Sequence, residues 1–223
     1  MLDWPGKTAC EIFLAGCNFS CGFCHSGYLL DGDAKEKITA GDFLSYLDAK
    51  KLTAMKLDGV VISGGEPTLN ADLPELISGI KKMGYLVKLD TNGTNPRMLQ
   101  ELLYNNQLDC VAMDIKTSFG KYEQASRAKS DLQKLIESSV LLRESRIDYE
   151  FRTTVVPELV DESDIAKIGE WLKGAKRYSL QQFQPENCLE ESYRQLKPYP
   201  KERLEKMVEL AKPYFEEVLL KNC

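Results

Sequence analysis

The chain has 223 residues and a formal net charge of −5, with 43% hydrophobic and 28% charged residues. That is ample for one large α/β unit with a real core, and the lack of any Lys/Arg block argues against nucleic acid as a partner. The N-terminal MLDWPGKTAC has no apolar stretch of the signal-peptide kind, and no apolar run approaches the roughly 18 residues of a membrane helix. A cytoplasmic protein without membrane association is therefore expected.

In chain order, the hydrophobic pattern alternates short strands with longer helices. A strand over Cys10–Leu14 is followed by a helix over Ala40–Leu52. Strand Gly59–Ser63 pairs with helix Leu73–Met83, strand Leu86–Asp90 with helix Pro96–Asn105, and strand Cys110–Ile115 with helix Asp131–Arg143. Strand Tyr149–Val155 precedes helix Ser163–Leu172, and strand Tyr178–Phe183 precedes helix Lys201–Lys212. Asp72 and Asn95 are expected N-caps, and Pro74 and Pro96 sit where an early-helix proline is tolerated. Runs such as VVIS and CVAMDI are apolar at successive positions, as parallel strands covered by helices should be. No repeat, low-complexity tract or linker interrupts the chain, so residues 1–223 are read as a single domain.

Six strand–helix units imply an α/β fold with a parallel sheet and helices outside it. They suit a partial, open barrel or a doubly wound sheet. Either arrangement places a site at the C-terminal ends of the strands.

The chain has seven cysteines. Cys17, Cys21 and Cys24 are spaced C-x3-C-x2-C in the loop after the first strand, and Cys10, Cys110, Cys188 and Cys223 are scattered. This is the layout of a metal site plus incidental thiols, not of a disulfide framework. Thiolates suit iron–sulfur clusters or zinc. A cubane cluster usually takes four cysteines, so three would leave one iron open for a substrate group. A structural zinc site with His25, the one histidine of the chain, is the other reading of these residues, and a plain electron-transfer ferredoxin is a third.

The cysteine spacing, Phe23 before the last cysteine, and Ser63-Gly64-Gly65-Glu66-Pro67 after the second strand together resemble the radical S-adenosylmethionine (SAM) superfamily. The resemblance covers essentially the whole chain. It implies a partial (βα)6 TIM-like barrel, a [4Fe–4S] cluster on Cys17, Cys21 and Cys24, and SAM on the open iron. It also implies that Phe23 and the Gly64–Glu66 segment help to bind the cofactor, the latter through the SAM amino group. Gly64 and Gly65, lacking Cβ, would let the backbone come close to the ligand.

Asp90-Thr91-Asn92-Gly93 ends the third strand and Asp114-Ile115-Lys116 the fourth, which makes Asp90 and Asp114 neighbours. Two adjacent carboxylates want a cation beside them, either Lys116 or a bound metal. By resemblance to glycyl-radical activating enzymes, Lys116 holds the SAM carboxylate, while Asp90, Thr91 and Asp114 frame a small monovalent cation; Asn92 is counted with the cofactor-binding residues. An inward arginine in an apolar strand must meet an anion, and the resemblance gives Arg152 the SAM carboxylate or ribose region. Gln181, Gln182 and Gln184 are either adenosine contacts or core-and-rim residues.

The chain is poor in acid–base equipment, which makes hydrolysis unattractive. Radical SAM chemistry needs none. Only 34 residues separate Cys24 from Gly59, so no second-cluster insert fits there. Together with Asp3-Trp4-Pro5-Gly6-Lys7, Ile12–Cys17 and Cys24-His25, this most resembles the activating proteins of anaerobic ribonucleoside-triphosphate reductase, close to those of pyruvate formate-lyase. Ser26-Gly27 departs from the Asn-Pro that many relatives carry. The resemblance implies a glycyl radical enzyme as protein substrate and flavodoxin or ferredoxin as electron donor. A radical SAM enzyme acting on a small molecule or peptide is the alternative enzyme, and an iron–sulfur or zinc protein is the non-enzyme alternative.

Overall fold

The computed structural model describes residues 4–30, 37–50 and 56–223. Seven strands form one sheet in the order β1 to β7: β1 Ala9–Leu14, β2 Gly59–Gly64, β3 Leu86–Thr91, β4 Cys110–Asp114, β5 Asp148–Val155, β6 Ala175–Gln182 and β7 Phe215–Lys221. Every neighbouring pair is parallel. The main helices are α1 Ala40–Lys50, α2 Leu73–Lys82, α3 Pro96–Tyr104, α4 Tyr122–Ser126, α5 Leu132–Glu144, α6 Glu162–Leu172, α7 Glu191–Arg194 and α8 Lys201–Ala211. The sheet is not closed: among the described residues β1 pairs with β2 and β7 with β6, and the two do not meet. This is a partial barrel.

The six expected strands are present within a few residues. Leu52, the expected end of the first helix, lies outside the described residues. Asn95 caps α3, its side chain accepting the Met98 N–H at 3.3 Å. Asp72 precedes α2 but makes no side-chain cap bond. The added element is β7. Its sequence FEEVLLK is rich in helix formers, but α8 ends at Ala211 and a single tight turn over Lys212–Tyr214, holding Pro213, separates the two. The segment then pairs with β6, Val218 in register with Tyr178.

The strands are not apolar on both faces. Side chains alternate across a strand, and Val87 and Leu89 of β3, Val111 and Met113 of β4 and Phe151 of β5 join the main core under the helices. Truncating one such residue, Leu89→Ala for example, costs about 2–5 kcal/mol. The opposite face carries Lys88, Asp90, Glu150 and Ser179, all buried. A small separate cluster of Trp4, Val61 and Cys110 lies with them on that inner side. The polar inner face is what positions the site.

Candidate active site

The cysteine loop, the Ser63–Glu66 loop and the ends of β3 to β6 open onto one cavity of about 540 Å³. Cys17, Cys21, Phe23, Cys24, Gly64, Gly65, Glu66, Asp90, Thr91, Asn92, Asp114, Lys116 and Arg152 all line it. The structure thus brings these thirteen residues together, at the strand ends where a parallel sheet places them.

The two glycines are needed for a reason other than ligand approach. A Cβ on Gly65 would lie 2.0 Å from the Gly16 carbonyl oxygen, and one on Gly64, at φ +130°, 2.2 Å from that of Leu14. The close approach is between two stretches of this chain. It allows the Gly65 N–H to donate to Leu14 O at 2.8 Å and the Glu66 N–H to donate to Gly16 O at 2.7 Å. The β2 loop is thereby fastened directly behind the cysteine loop.

Glu66 also turns inward. Its Oε1 accepts the Thr68 N–H and hydroxyl at 3.1 and 2.5 Å and the Thr91 hydroxyl at 2.7 Å, and its Oε2 accepts the Asn92 N–H at 2.6 Å. Burial pushes its carboxyl above the usual range, against the pull of these four donors. Asn92 is likewise engaged: its amide donates to Asn18 Oδ1 at 2.9 Å, and Asn18 donates to Thr94 at 2.9 Å. Glu66, Thr91 and Asn92 are therefore framework of the cavity wall.

Asp90 and Asp114 do not face each other directly, since Asp90 is in register with Ala112 and Asp114 with Arg152. The Arg152 guanidinium joins them, Nε to Asp114 Oδ1 at 2.8 Å and Nη1 to Asp90 Oδ2 at 2.9 Å. Small Ala112 lets this side chain pass over β4. Lys116 donates to the other oxygen of Asp114 at 3.0 Å. Burial would raise the Asp114 carboxyl, but Arg152 and Lys116 hold it well below the usual carboxylate range. Burial would lower the Lys116 ammonium, and Asp114 keeps it above its ordinary value. The cation that the two carboxylates require is thus a side chain of the protein, and the electrostatic reason for a small cation between them falls away.

The cysteine loop is also clasped by the segment after β6 and by the end of α4. The Leu189 N–H donates to Cys24 O at 2.8 Å, the Glu190 N–H to Gly22 O at 3.0 Å, and the Ser20 N–H to Ser126 O at 2.9 Å. Arg127 pairs with Glu190, and Phe23 packs against Tyr193 at 6.0 Å between ring centroids. His25 Nε2 donates to Gln184 O at 2.8 Å. Asp3 of the N-terminal segment lies outside the described residues.

The donor set fits a cubane better than a single ion. A zinc site needs four ligands converging on one point at about 2.0–2.3 Å. His25, the fourth ligand a zinc site would take here, is engaged with the Gln184 carbonyl instead. A cluster gives each thiolate its own iron. Burial pushes the Cys21 thiol up to about 11, with Lys116 countering; burial also raises Cys17. Loading of Cys17 and Cys21 as thiolates thus releases protons.

Over 228 aligned residues the chain is 35% identical to "Putative glycyl-radical enzyme activating enzyme MJ1227" of Methanocaldococcus jannaschii, covering 99% of this chain and 92% of that protein. It is 30% identical over 138 residues to the 7-carboxy-7-deazaguanine synthase of Neisseria meningitidis, covering 61% of this chain and 58% of the other. Among solved structures, Streptococcus suis SuiB bound to S-adenosylmethionine shares the fold, with a TM-score of 0.75 at 17% identity over 97% of this chain. The chain spans about half the length of that structure, 51%. Residues 12–172, from within β1 to the end of α6, match the Radical SAM superfamily, and they carry every cavity residue from Cys17 to Arg152. The chain belongs to the radical SAM superfamily of enzymes.

Proposed function

We propose that the chain, read as one domain over residues 1–223, activates a glycyl radical enzyme, with anaerobic ribonucleoside-triphosphate reductase as the favoured partner. The observation that carries this reading is the likeness to a glycyl-radical activating relative across 99% of the chain, on an open barrel with one three-cysteine loop. Superfamily membership implies a [4Fe–4S] cluster and SAM. When bound, the cluster supplies one electron that divides SAM into methionine and a 5′-deoxyadenosyl radical, which takes a hydrogen atom from a glycine Cα.

The protein's own part is binding and orientation. Cys17, Cys21 and Cys24 hold three irons. Lys116, on the cavity wall, offers its ammonium to the SAM carboxylate. Arg152 and Asp114 fix where that ammonium stands. Glu66 fastens the β2 loop so that its backbone faces the SAM amino group, and buried Phe23 keeps water from the loop. Flavodoxin or ferredoxin is the expected electron donor. No described helix is long and apolar enough to cross a membrane, and we place the reaction in the cytoplasm.

A second reading, a small-molecule substrate, is favoured by the partial likeness to a deazaguanine synthase. One experiment separates the two. Anaerobically reconstituted, reduced protein is incubated with SAM and a co-encoded glycyl radical enzyme. Production of 5′-deoxyadenosine with a glycyl-radical EPR doublet supports activation. Cleavage of SAM without that doublet favours the second reading.

A further inference from the structure

Lys88 is a buried lysine that the proposed chemistry does not use. It is 1% exposed on the inner face of β3, two residues before Asp90 and on the same side of the strand. Its Nζ donates to Asp90 Oδ1 at 2.7 Å. With Arg152 on Asp90 Oδ2, Arg152 on Asp114 Oδ1 and Lys116 on Asp114 Oδ2, each of the four carboxylate oxygens already meets a cationic donor. Charges alternate along the row Lys88, Asp90, Arg152, Asp114, Lys116. Lys88 lies outside the cavity and Lys116 on its wall.

A buried ion pair is a poor way to stabilise a fold, because apolar residues of similar volume often do as well or better. The lysine is better explained by what it does to the row. Without it, Asp90 keeps one oxygen open, and an open carboxylate oxygen near a second carboxylate recruits a cation from solution. We propose that Lys88 is a positioning residue for SAM: its ammonium fills the cation place at Asp90, holds Arg152 between the two strands, and so makes binding of SAM independent of alkali cations. This rests on SAM binding at the cavity, not on the identity of the partner enzyme.

The test measures SAM affinity by calorimetry on the anaerobically reconstituted holoprotein, at fixed ionic strength with sodium, potassium or choline as the cation. Wild type should bind equally in all three. Lys88→Met should weaken binding about tenfold in choline, the scale of one lost charged hydrogen bond, and recover in sodium or potassium. Lys88→Gln serves in its place if the methionine variant does not fold, and Lys88→Arg should restore cation independence. A merely structural lysine would weaken binding alike in every salt. That result, or wild-type binding that itself requires sodium or potassium, would overturn the proposal. Wild type that binds SAM in no salt would instead overturn the cavity assignment.

Discussion

The carboxylate of Glu66 accepts the main-chain N–H of Asn92 at 2.6 Å, which ties the loop after β2 to the end of β3. Three more donors converge on the same side chain. Glu66→Gln turns an NH2 group toward one of these donors and should cost about 1–3 kcal/mol. Urea unfolding of the cluster-free protein measures it. An unchanged midpoint would show that the carboxylate is not the tie described.

Gly65→Ala should be more severe than an ordinary surface change. The added methyl meets a backbone oxygen at 2.0 Å, which cannot swing aside as a side chain can. A loss of about 2–4 kcal/mol is expected, in the range of severe core overpacking, with lower iron content after reconstitution. Thermal unfolding together with an iron assay checks both.

Acid should weaken the fold through Asp114. Its folded-state pKa is lowered, chiefly by Arg152 and Lys116 working against burial. Such a group contributes stability that is fully present above its unfolded value of 3.8 and is lost as pH falls below it. Asp114→Asn should therefore be less stable at neutral pH, by about 2 kcal/mol, and should lose less on going from pH 5 toward pH 3. Parallel stability-versus-pH curves for the two proteins would refute the assignment.

His25 and Cys21 should separate cleanly. His25→Ala removes one bond to the Gln184 carbonyl and should cost about 1 kcal/mol while leaving the cluster intact. Cys21→Ala should leave the protein without a four-iron cluster. Iron and sulfide content with visible absorbance decides. Loss of the metal in His25→Ala would revive zinc-type ligation.

Much of this was legible in the sequence because strand ends, turn glycines and cysteine spacing are local signals. Cys17, Cys21, Cys24, Asp90, Asp114 and Lys116 each lie at the end of, or just after, a strand that its own apolar run announces, and a parallel sheet gathers strand ends without further information. What stayed hidden depends on pairing across the fold. Lys88 has no signal of its own inside LVKLDT; its burial follows only from β3 turning that face into the barrel. β7, beyond the last expected helix, has no alternating pattern of its own and is defined by its pairing with β6. The clasp from Gln184 to Arg194 runs largely through main-chain groups, which leave no trace in residue type. Glu66 was legible as important, but its direction, into the wall and not toward the ligand, was not.

The unjoined margins of the sheet divide the molecule mechanically. Among the described residues no ladder of hydrogen bonds joins β1 to β7, so strand pairing does not set the width of the opening. The cysteine loop and the Arg152 row are instead laced to β1 through β5 by short bonds on several sides. On the proposed function, a bulky guest would meet a rim that no strand pairing spans and a floor that strand pairing fixes. Tolerance in what is admitted and rigidity in what is done to it are assigned to different parts of one sheet.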